Sequence, residues 1–146
     1  MQRWTAPQPL ALPIDVATVS RLDLEFLDVR RDEGSFTLYV FLNADELGPE
    51  AGRDHPHFAA GYTVFAQTDC WGDEGHCDWK RGRVHDFDRR PDHHLTPFNL
   101  TLEVTQAVKR LGNPDTLTVT IHAARLGDPD ADDVFRFREL VALAYQ

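Results

Sequence analysis

Arg21-Leu22-Asp23-Leu24-Glu25-Phe26-Leu27-Asp28 puts Leu22, Leu24 and Phe26 on one side of an extended chain, with Asp23 and Glu25 on the other and Asp28 close by. Successive side chains of a strand point to opposite faces, so this alternation marks a strand with one face buried and one in water. Arg31-Asp32-Glu33-Gly34 turns the chain. Ser35-Phe36-Thr37-Leu38-Tyr39-Val40-Phe41-Leu42 then supplies a second strand, rich in the aromatic and β-branched residues that suit a pleated surface. Together the two predict a hairpin.

Working outward, residues 1–20 carry Pro7, Pro9 and Pro13 and read as an extended arm. Residues 21–146 then form a single domain. Residues 43–57 are polar and broken by Gly and Pro, which predicts a loop, and strand character returns over 58–66. Residues 98–104 read as a strand, and Thr105 is placed to cap a short helix through Leu111 that stops at Gly112. Asn113-Pro114-Asp115 turns the chain into an alternating strand over 117–123. After an acidic turn at 127–133 comes a last strand over 134–145, where Arg, Glu, Leu and Ala would also suit a helix. The fold class is all-β: an antiparallel, jelly-roll-like sandwich with one short helix and a long Cys/His-rich loop. Leu22, Leu24, Phe26, Leu38, Val40 and Val119 should point inward.

The chain has 146 residues and a net charge of −9 with neutral histidines. A domain of this length buries enough surface to fold without a metal or disulfide. Its acidity disfavours nucleic acid and anionic membranes as partners. No run reaches the roughly 20 apolar residues of a membrane helix. The start, Met1-Gln2-Arg3-Trp4, lacks the apolar stretch of a secretory signal. The protein therefore reads as cytoplasmic, export alongside a signal-bearing partner being the other route.

Residues 68–97 show no periodicity, yet they hold both cysteines, two of the three tryptophans and four of the seven histidines. So long a connection inside a small domain is usually functional or cross-linked. Thiolate and imidazole suit copper(I) or zinc, and Cys70, His76 and Cys77 with one of His85, His93 or His94 would make four ligands. The Cys-x6-Cys spacing is longer than that of standard zinc motifs. Cys70 and Cys77 could equally form a disulfide closing a short loop, which would contribute about 2–3 kcal/mol, or sit reduced as small hydrophobes. His93-His94 beside Arg89-Arg90 also suits a solvated turn, and His122, inside a strand, suits packing. Trp71, Trp79 and Phe87 would either fasten the loop to the body or anchor a partner. No Gly-x-Ser-x-Gly elbow, phosphate-cradling glycine loop or His-Glu-x-x-His occurs. The acids Asp73, Glu74, Asp78 and Asp86 fit solvated loop residues better than an acid/base pair.

Phe36-Thr-Leu-Tyr-Val-Phe-Leu-Asn43, the loop with Gly48-Pro49, and Phe58-Ala-Ala-Gly-Tyr62 resemble the C-terminal domain of plant polyphenol oxidases. Residues 100–111 and 115–125 are similar to that domain's strand, short helix ending in Leu-Gly, acidic turn and Val/Thr-rich strand. Haemocyanins carry a related β-domain. The resemblance implies a sandwich that packs over the entrance to a dicopper site held elsewhere. Type-3 copper centres use six histidines from a helical bundle, and this chain has no helices to supply them. The resemblance thus implies a non-catalytic shielding or chaperone-like domain whose partner is a tyrosinase-like copper enzyme. Two rivals stand beside it: a free-standing copper- or zinc-binding protein using the 70–94 loop, and a sandwich that binds a protein or small ligand.

Overall fold

The computed structural model describes residues 1–12, 18–30, 34–44, 46–65, 74, 87, 96–128 and 130–146. Among these, the strands are β1 (Gln2–Thr5), β2 (Leu10–Ala11), β3 (Arg21–Val29), β4 (Phe36–Leu42), β5 (Phe58–Val64), β6 (Phe98–Glu103), β7 (Thr116–Leu117), β8 (Val119–Arg125) and β9 (Glu139–Tyr145). One helix, α1 (Thr105–Arg110), follows β6. A four-stranded sheet runs β1-β8-β4-β5, a three-stranded sheet runs β6-β3-β9, and β2 pairs with β7. Every pairing is antiparallel. The all-β sandwich expected from the alternation is the fold.

Its core lies between the two larger sheets. Leu22, Leu24 and Phe26 of β3 face Phe36, Leu38 and Val40 of β4 and Val119 of β8, and all seven are inaccessible to solvent. Phe26 meets Phe135 and Phe137 edge-on at centroid distances of 5.4 and 5.2 Å, joining one sheet to the segment that leads into β9. Each such buried side chain contributes roughly 1.5–3 kcal/mol through its area alone.

The predicted hairpin does not form. β3 and β4 lie in different sheets, so the chain crosses the sandwich between them. Both strands have one strongly apolar face, and the two faces are satisfied by meeting across the core. In the N-terminal segment, Gln2–Thr5 is hydrogen-bonded to β8 as an edge strand and Leu10–Ala11 pairs with β7. Trp4 holds it there by packing edge-on against Phe137 at 5.0 Å.

Residues 134–137, expected to open the last strand, stand outside it. The Phe135 N–H donates to Oε1 of Gln2 at 2.6 Å, and the Phe135 carbonyl accepts from Nε2 of the same side chain. A side chain from the other sheet thus takes the ladder's place at Phe135, while the Arg136 carbonyl accepts from the Arg30 N–H, the Arg138 N–H donates to the Leu27 carbonyl, and regular pairing starts at Glu139. The helical alternative there does not occur. Thr105 is not the cap of α1 either. Val104 holds that position without a side-chain bond, while the buried Thr105 hydroxyl accepts from the Leu22 N–H at 2.8 Å. Gly112 closes the helix with φ of 80°, a region glycine enters without strain.

Candidate functional site

Cys70, Trp71, His76, Cys77, Trp79, His85, His93 and His94, singled out from the sequence, lie outside the described residues. Phe87 is described and is 85% exposed. Among the described residues, a group of titratable and aromatic side chains gathers on the outer face of the four-stranded sheet, under the loop that follows β4.

The register builds it. His122 of β8 sits between Arg3 of β1 and Tyr39 of β4 in one cross-strand row. Phe41, two residues along β4, lies on the same outer face and forms a second small core with Ala44 and Leu47, flanked by Tyr39, Ala51 and Phe58. Phe41 contacts the rings of His122 at 5.2 Å and His55 at 5.5 Å. Gly61, opposite Tyr39, makes room for that ring. A Cβ there would come within 3.2 Å of Tyr39 Cδ1.

Polar contacts tie the loop to this face. Arg3 Nη1 donates to the Leu47 carbonyl at 3.2 Å, and Arg53 lies over the Tyr39 ring. His57 Nδ1 and the Leu42 carbonyl are 2.8 Å apart, which places a proton on that nitrogen. The His57 N–H donates to His55 Nδ1, which therefore carries a lone pair. His55-Pro56-His57 is thus a folded loop end whose histidines each use one nitrogen internally.

His122 is buried, and its Nδ1 has no hydrogen-bond partner among the described residues. Burial holds its pKa below the ordinary 6.5, and the charges of Arg3 and His55 act in the same direction, opposed by a bond with the Ala51 backbone. The folded protein therefore resists protonation that the unfolded chain accepts. Stability is full above 6.5 and declines as pH falls from there toward the depressed folded value. Thermal unfolding between pH 8 and 5 should show this decline, and His122→Phe should flatten it. An equally steep decline in the variant would place the sensitivity elsewhere.

The set does not make a metal centre. Among the described residues no group of three or more His, Cys, Asp or Glu side chains could hold a metal ion. The copper of a type-3 site thus finds no fitting ligand set in them.

Two open clefts, of about 400 and 520 Å³, share Phe137 and Arg138 as a wall. Two of the arginines that line them are matched by acids: Arg138 pairs with Asp28 and Glu139, and Arg136 with Asp133.

The architecture has solved counterparts. A latent aurone synthase (polyphenol oxidase) from natural source matches with a TM-score of 0.60 at 13% identity, over 99% of this chain and 24% of that one. The fold is one found in polyphenol oxidases. A recombinantly expressed latent aurone synthase matches with a TM-score of 0.57 at 10% identity, again over 99% and 24%. At such identities the polyphenol oxidase likeness is one of fold. The chain spans about a quarter of the length of these neighbours. No family model matches the sequence, and no curated protein matches it.

The outer-face cluster was only partly legible beforehand. His122 is marked in the sequence as a packing residue inside a strand, but nothing local to it signals that Arg3, Phe41, His55 and His57 would join it. Their convergence depends on β1 pairing with β8.

Proposed function

We propose that this chain is a non-catalytic accessory domain of a tyrosinase-like type-3 copper oxidase, equivalent to the C-terminal β-domain of polyphenol oxidases. It shields the entrance to the dicopper site or keeps the apo-enzyme folded while copper is loaded. The observation that carries this reading is the coverage: almost all of this chain matches a quarter of two polyphenol oxidases, both described as latent. The remaining three quarters of such an oxidase leave ample chain for a separate copper-binding body. The sequence resemblance over residues 20–125 points to the same family independently of the superposition.

The test supplies the chain to the copper-loaded tyrosinase-like enzyme encoded in the same genome, freed of any β-domain. Catechol oxidation should fall at least tenfold at saturating chain, about 1.4 kcal/mol of barrier or more. Copper retention should be unchanged or improved, and the chain alone should not oxidise catechol above a free-copper control. Unchanged oxidation together with unchanged apo-enzyme stability, or the absence of such an enzyme from the genome, overturns the reading.

A further inference from the structure

One end of the four-stranded sheet exposes large apolar side chains in a row. Phe36 of β4 pairs with Val64 of β5 on one side and Arg125 of β8 on the other. Phe65 and Leu126, the next residues along, therefore flank Ser35, and the Leu126 N–H donates to the Ser35 carbonyl at 2.8 Å. Strands two places apart in a sheet are separated by about 10 Å, so the two side chains belong to one patch. Phe65 is 81% exposed and Leu126 50%. Single exposed apolar residues are ordinary, but two large ones side by side in one row of a sheet offer a contact surface.

The rim has a sign. Residues 126–135 contain four aspartates and no lysine or arginine. Asp128, Asp130, Asp132 and Asp133 are all exposed. Asp133 is engaged by Arg136, while Asp128 is bridged through its backbone to Arg125 and so held beside the end of β8. Gly127, with φ of 87°, makes the tight turn that brings the acidic run back alongside Leu126.

We infer that the Phe65–Leu126 end is the docking face of this domain, and that its occupant is a protein surface with an apolar hollow rimmed by lysine or arginine. Resting on the accessory-domain reading, that surface belongs to the copper enzyme itself. Phe65 and Leu126 supply the buried centre, where aromatic and large apolar anchors carry most of the binding energy. The aspartates steer association and set its salt dependence. A second copy of this chain is a poor occupant, because it would bring the same acidic rim against its own.

Binding is measured by calorimetry and by association kinetics, using the copper-loaded enzyme as the probe. Phe65→Ala/Leu126→Ala should weaken affinity about a hundredfold, tenfold for each anchor lost. Neither residue is in the core, and an unchanged Tm verifies that the fold is intact. Asp128→Asn/Asp130→Asn/Asp132→Asn should slow association and flatten its dependence on ionic strength, leaving dissociation nearly unchanged. If the parent chain binds and the apolar pair binds equally well, the docking face is wrong while the accessory role stands. If the parent chain does not bind, both fall. Concentration-dependent dimerisation abolished by the apolar pair would assign the face to self-association and overturn the proposal.

Discussion

Replacing Phe26 by alanine is expected to destabilise the protein by about 4 kcal/mol, within the range for removing a buried aromatic ring from a packed core. Phe26 is fully buried and meets Phe135 and Phe137 edge-on, while Phe135 in turn contacts Phe36 of the opposite sheet at 5.6 Å. Its loss opens a cavity where the two sheets and the 134–137 segment meet, and rigid strands on both sides limit collapse into it. For a domain of this size the change corresponds to a fall in Tm of roughly 8–16 °C. Phe65→Ala, at an exposed position, should move Tm by no more than about 2 °C. Equal shifts for the two substitutions would show that the rings between the sheets are not where the core lies.

The second large effect comes from a single polar residue. Asn43→Ala should cost about 2–3 kcal/mol. Asn43 adopts φ of 49°, a left-handed conformation that alanine resists and asparagine tolerates. Its Oδ1 accepts from the Thr118 N–H at 2.7 Å, and its Nδ2 donates to the Thr116 carbonyl at 3.3 Å. Its own N–H donates to the Thr118 carbonyl at 2.9 Å. One side chain thereby satisfies the backbone where the chain passes from β7 to β8, and it starts the loop that covers His122. Alanine adds backbone strain to an unpaired N–H, each costing about 1–2 kcal/mol. Asn43→Gly relieves only the strain and should fall between alanine and the parent. Asn43→Asp retains the acceptor and should be the mildest of the three. Urea unfolding midpoints in another order would mean that the Thr118 bond does not support this corner.

These two sites also mark what the fold contributes to function. The covered outer face and the exposed apolar end belong to the same sheet, and β4 runs from one to the other. Ser35, just before its start, lies in the row that carries Phe65 and Leu126, and Phe41 and Asn43 at its end anchor the loop.

The sequence by itself determined the strands whose apolar period is unbroken. Leu22, Leu24 and Phe26, and then Phe36, Leu38 and Val40, announce their buried face locally, because a strand's two sides meet different environments whatever its partner. Gly112 announced the end of the helix for an equally local reason, the freedom of its φ. Pairing was decided elsewhere. Whether β3 joins β4 in a hairpin or faces it across the core depends on which partner best covers each apolar face, and those partners, β9 and β8, lie about a hundred residues away. Trp4 makes a strand of a proline-marked segment, the Gln2 side chain removes Phe135 from the last one, and Thr105 gives up a cap to bond Leu22. His122 follows the same rule. Its residue type was visible, but its burial, its orphaned nitrogen and its low affinity for a proton exist only because β1, β4 and the 43–57 loop converge on it. A local pattern can specify which side of a strand must be dry, but only the assembled chain decides what lies against it.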